Sequence, residues 1–139
     1  MNKLLTHLSF TQMRFHCNKQ QGRTFHVTTA ANSTGEAVVQ YFSGQTDVLP
    51  DACGSFVRMV NDNSKLVGVC DIWGYQYGAF HVGKWGNNAS LVDQNRLFDH
   101  AAFAASSYHW LLAPGDSRWE CDDYLVGVSS GDFWKVFVR

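Results

Sequence analysis

Proline is almost absent from this chain, with two in 139 residues, and no apolar run approaches the roughly 18 residues that a membrane-spanning helix requires. Insertion into a bilayer is therefore not expected. Neither charge sign dominates, because 11 Lys and Arg face 12 Asp and Glu and the basic residues are scattered. The electrostatic footprint of a nucleic-acid binder is missing. The chain also lacks a Gly-rich phosphate loop, a dinucleotide fingerprint and a G-x-S-x-G elbow. The Ser106-Ser107 and Ser129-Ser130-Gly131 clusters read as turn chemistry, and the expectation is a protein that is not an enzyme. No C-x-x-C pair occurs and no His stands at zinc-ligand spacing beside a cysteine, which argues against zinc. Leu4, Leu5 and Leu8 are interrupted by Thr6 and His7, short of the apolar core of a leader peptide.

What the chain does have is aromatic and β-prone. Ten Phe, five Trp and five Tyr lie within a 45% hydrophobic composition, enough to build a core in one domain spanning 1–139, with 1–10 as a flexible or edge segment. Met13, Phe15 and Cys17 alternate with polar neighbours, as do Phe25, Val27 and Thr29, and turn clusters separate these runs. Val38 to Phe42, Phe56 to Val60 and Leu66 to Cys70 also read as strands, the last two flanking the polar tip Asn61-Asp62-Asn63-Ser64. One short helix is predicted over 90–105, where Leu91, Asn95, Phe98, Ala102 and Ala105 share a face. The final run, Phe133 to Val138, reads as a strand apolar on both faces and so placed inside a sheet. The fold class expected is β-rich α+β: short antiparallel strands and one short helix.

Cys17, Cys53, Cys70 and Cys121 are isolated and even in number, which suits two disulfides and an oxidising, extracellular compartment. Three pairings are possible, and Cys121, in a charged stretch, is the foremost candidate for a partner. Two acceptor sequons, Asn32-Ser33-Thr34 and Asn88-Ala89-Ser90, point to the same secreted setting.

The stretch Trp119-Glu120-Cys121-Asp122-Asp123-Tyr124 carries three carboxylates in four residues, with Asp116 shortly before. Calcium takes several hard oxygen ligands, so Glu120, Asp122, Asp123 and Asp116 are the candidate ligand set, with Asp71, Asp93 and Asp99 next in line. A solvated acidic loop held by a disulfide is the competing reading. A sugar offers hydroxyls and an apolar C–H face, so Trp119, Tyr124, Glu120, Asp122 and His109 are the candidate carbohydrate-binding residues. Trp110, inside the apolar run His109–Ala113, is expected in the core.

The segments Arg96–His100, Tyr108–Leu112, Arg118–Cys121, Gly127–Ser130 and Phe133–Arg139 together resemble secreted invertebrate lectin-like domains. The closing Gly-x-Ser-Ser and last aromatic strand are similar to the end of intelectins, of the fibrinogen-like group. The order Trp-Glu-Cys-Asp-Asp before a final strand is similar to the end of a C-type lectin-like domain. Both resemblances imply a disulfide-bonded lectin that binds glycans with the help of calcium. Two departures stand out: Leu49-Pro50-Asp51 only partly echoes the calcium motif of C-type lectins, and Glu120-Cys121 stands where such domains place Asn. A homo-oligomer would gain avidity. The competing function is an extracellular structural or assembly module that binds no glycan.

Overall fold

The alternation at Met13–Asn18 and Thr24–Thr29 becomes strands β1 and β2, with Met13, Phe15, Cys17, Phe25 and Val27 buried and their neighbours on the other face. A computed structural model describes residues 11–20, 22–76, 79–86, 96, 103–105, 108–113, 118–124 and 127–139. The elements that follow are α1 (Ser33–Phe42), β3 (Phe56–Arg58), a 3₁₀ segment η1 (Leu66–Ile72) and the small hairpin β4 (Tyr75–Gln76) and β5 (Ala79–Phe80). After these come β6 (Phe103–Ala105), β7 (Tyr108–Ala113), β8 (Arg118–Asp123) and β9 (Phe133–Val138). All strand pairs are antiparallel, in a four-stranded sheet of order β3-β2-β1-β9 and a three-stranded sheet β6-β7-β8. The protein is a β-rich α+β domain.

The aromatic core joins the two sheets. Phe15 of β1 lies 5.8 Å from Trp110 of β7 in an edge-to-face contact and 5.2 Å from Trp85, which meets Trp73 at 5.2 Å. Each of these rings is fully buried, as expected for Trp110, and burial of a large side chain stabilises by roughly 1.5–3 kcal/mol. The polar edge of each loop tryptophan is matched: Trp73 Nε1 donates to the Leu66 carbonyl at 2.9 Å and Trp85 Nε1 to Ser55 Oγ at 2.7 Å.

All four cysteines are paired. Cys17–Cys121 links β1 to β8 and so fastens one sheet to the other across 104 residues, while Cys53–Cys70 ties the loop before β3 to η1. Among the described residues no helix is long and apolar enough to cross a membrane.

Four expectations are corrected. Val38 to Phe42 is the end of helix α1, because Gly35, Val38, Val39 and Phe42 form a buried stripe at helical spacing and Asn32 caps the first turn, its Oδ1 accepting from Gly35 N at 2.8 Å. Gly35 is needed there, since a Cβ would lie 2.0 Å from the Ala30 carbonyl oxygen. Leu66 to Cys70 is 3₁₀ rather than strand. Of the helix expected over 90–105, residues 103–105 form β6 instead, where pairing with β7 outweighs the helix propensity of alanine; the other residues, Arg96 apart, lie outside those described, as does the sequon at Asn88. Finally, among the described residues β9 is an edge strand rather than a central one: its one described neighbour is β1, and Phe137 and Val138 are each 38% exposed. Its cross-strand partners explain the two-faced pattern, because Val136 and Trp134 sit opposite Phe15 and Cys17 on the core side while Phe137, Lys135 and Phe133 sit opposite Arg14, His16 and Asn18 on the outer side.

Candidate functional site

The acidic stretch is strand, not loop, and its side chains go to three places. Asp122 adopts a left-handed backbone (φ 58°), a conformation Asp tolerates better than most residues, and this takes its carboxylate out of the strand's alternation. The group is fully buried at the start of η1. It accepts from Lys65 N at 2.8 Å, from Leu66 N at 2.7 Å and from Arg23 Nε, while Arg23 Nη2 donates to the Asp122 carbonyl at 2.5 Å. Asp123 accepts from Lys19 Nζ at 2.7 Å and from the Cys121 N–H at 2.6 Å. Both oxygens of each carboxylate are thus engaged by protein donors, and two cations already balance the charge.

Glu120 points to the other face of β8 with Leu111 and His109. It is almost fully buried and accepts from His109 Nδ1 at 2.9 Å. Among the described residues no three His, Cys, Asp or Glu side chains converge as a metal site. The calcium set expected at Glu120, Asp122 and Asp123 is therefore not gathered in one place, and its fourth member, Asp116, lies outside the described residues, as do Asp93 and Asp99. The physical reason is the bend at Asp122: adjacent acids on a regular strand alternate, and this one turns aside to cap η1.

The aromatic candidates separate too. Trp119 pairs opposite Leu112, one pair from one end of the β7–β8 ladder, and Asp123 opposite His109 at the other end. Trp119 packs on Trp134 at 5.6 Å, beside the bond from Trp134 Nε1 to the Glu120 carbonyl at 3.0 Å. Tyr124 instead lies edge-to-face with His109 at 5.3 Å and is half exposed. Of the five residues expected to bind carbohydrate, the structure brings together His109, Glu120 and Tyr124, and leaves Trp119 and Asp122 elsewhere.

Sequence reasoning missed Arg23 and Lys19, the partners that consume the acids. Each stands about a hundred positions from its carboxylate, and the one available signal was the disulfide partner of Cys121, since Cys17 brings Lys19 and Arg23 to β8. A small cavity of about 160 Å³ is lined by Lys19, Arg23, Asp122, Asp123, Ser129 and Asp132. Asp132 is also engaged, by Gln20 N and Ser129 N. No protein family, curated protein or solved structure matches this chain.

Proposed function

We propose that this protein is an extracellular carbohydrate-recognition module whose contact residue is Tyr124, positioned by His109 and Glu120, and which binds without calcium held by the β8 carboxylates. The observation that carries the reading is the half-exposed Tyr124 ring set against His109, itself fixed by a buried carboxylate. An aromatic ring with a phenolic hydroxyl can cover the apolar face of a pyranose and bond its hydroxyls. Two disulfides support the oxidising compartment in which such a module works. Glu120 is too deeply buried to touch a ligand and acts through His109 as a positioning residue.

A glycan array with calcium and with EDTA tests this. The expected result is enrichment in both conditions that Tyr124→Ala reduces by about tenfold, the scale of one lost aromatic contact. Enrichment abolished by EDTA would show that a metal ion takes part in binding and overturn the metal-independent reading. No enrichment in either condition would favour the assembly module, for which the exposed Phe137 and Val138 on edge strand β9 offer apolar area.

A further inference from the structure

The outer face of the four-stranded sheet carries a set of side chains of one kind. Its outward positions across β3, β2, β1 and β9 are Val57, Thr28, Arg14 and Phe137 in one row, His26, His16 and Lys135 in the next, and Thr24, Asn18 and Phe133 in the third. No Asp or Glu occupies any of them. In a chain with a formal net charge of −1, this face is nonetheless cationic. Of the carboxylates beside the face, Asp62 is buried and spent on Arg58, Ser64 and the His26 N–H, and Asp132, which precedes Phe133, accepts from Gln20 N and Ser129 N.

The cations are held rather than loose. The Arg14 guanidinium lies 3.9 Å over the Phe137 ring, and Nη1 donates to His26 Nε2 at 3.0 Å. Because arginine can only donate, His26 accepts on Nε2 and carries its proton on Nδ1, which donates to Asn61 Oδ1 at 2.6 Å. His26 in turn stacks on His16, with ring centroids 3.7 Å apart, and His16 meets the Phe133 ring at 4.8 Å. The Lys135 ammonium sits 4.7 Å over that same ring. Neither Arg14 nor Lys135 has an ion-pair partner among the described residues. At the end of the face a cleft of about 460 Å³ is lined by Gln12, Arg14, Thr28, Met59, Phe137 and Arg139.

We infer that this sheet face is a binding surface for a sulfated glycan, distinct from the Tyr124 patch and independent of it. A guanidinium held on a ring and on one imidazole spends only one of its N–H groups there, and the rest of the fork matches the oxygens of a sulfate. Lys135 lies one row along the β1–β9 pair and Arg139 beyond the other end of it, so the charges run in a line suited to an extended polyanion. Gln12 in the cleft supplies hydrogen-bonding groups for hydroxyls, as do the lone pairs left on Thr28, which donates to the Met13 carbonyl, and on Thr24, which accepts from Asn18 Nδ2 at 2.7 Å; Phe133 and Phe137 supply apolar edges. Sugars present both kinds of group, whereas an acidic peptide makes little use of them. A chain held by two disulfides also meets glycans in its compartment more readily than nucleic acid.

The test is direct binding of the intact protein to heparin at physiological salt, beside poly-glutamate, a short DNA duplex and unsulfated hyaluronan. Heparin should bind, the other three at least about tenfold more weakly, and raised salt should weaken the complex. Lys135→Gln with Arg139→Gln, at exposed positions that leave the fold intact, should lower heparin affinity by about tenfold, and Arg14→Gln should do so alone. Circular dichroism confirms folding of each variant. Tyr124→Ala should leave heparin binding unchanged, which separates this surface from the patch on β8. Absence of heparin binding, retention of it in both sets of folded variants, or equal binding of DNA or poly-glutamate would each overturn the inference.

Discussion

The acids of β8 and the cations of the outer sheet are opposite cases of how a chain disposes of charge. Asp122 and Asp123 are neighbours in sequence and look like a site, yet both are withdrawn into the protein and met by Arg23, Lys19 and backbone N–H groups. Arg14, Lys135 and Arg139 come from both ends of the chain and look like nothing in sequence. Strand pairing brings the first two together across the same sheet and Arg139 to the cleft beside Arg14, where rings rather than carboxylates hold Arg14 and Lys135. A carboxylate whose two oxygens both accept from protein donors, with a cation beside it, has most of its acceptor capacity and its charge already met. A cation resting on a ring retains most of its donors, and it is the sort of charge that a partner can use.

The sharpest way to break that contrast is at Asp122. If its carboxylate is structural, Asp122→Ala strands Arg23 and two backbone donors and should destabilise the fold by about 3–5 kcal/mol, the scale for removing one member of a buried pair. Urea unfolding measures this. Unchanged stability, with loss of a bound metal ion instead, would return the carboxylate to a ligand role. Next in size is the Cys17–Cys121 link, which delivers Lys19 and Arg23 to the acids. Replacing both cysteines with alanine should cost about 2–5 kcal/mol, more than the same change at Cys53–Cys70, because the longer loop restricts the unfolded chain more. Equal losses at the two bonds would show that the link between the sheets carries no special weight.

Sequence made some of this legible. Period-two alternation identified β1, β2 and β9, and even, isolated cysteines identified the disulfides without their pairing. It failed at Val38 to Phe42, where β-branched and aromatic residues suggested a strand while the stripe from Gly35 to Phe42 and the Asn32 cap specified a helix. It failed at β9, where apolarity on both faces was taken for burial although Phe137 spends its outer face on Arg14. The site was hardest to read, because the left-handed turn at Asp122 and the partners a hundred residues away leave no local trace. His109 and Glu120 come together because β7 and β8 pair, and Tyr124 follows one residue beyond the end of β8, so this grouping depends on a strand register that sequence spacing alone does not give.

The smallest effect concerns His16, and it measures how strongly the outer face is charged. Burial holds its pKa down from 6.5 to about 4, with His26, Arg14 and Lys135 adding repulsion toward a proton. The folded state therefore refuses a proton that the unfolded chain accepts below 6.5. The contribution to stability is complete above that pH and is lost as pH falls through the window to about 4. In His16→Gln, the melting temperature should decline less between pH 7 and 4 than in the unaltered protein. Comparing slopes removes the separate loss of the stacking on His26 and Phe133. Lys135→Gln offers the finer measurement, because removing one of the repelling cations should raise the His16 titration midpoint followed by NMR. A midpoint near 6.5 in the unaltered protein would mean that the face carries too little burial and positive charge to distinguish it from ordinary surface. A low midpoint that rises on removal of Lys135 would show that its cations act on one another through the sheet, as a surface prepared for an anion requires.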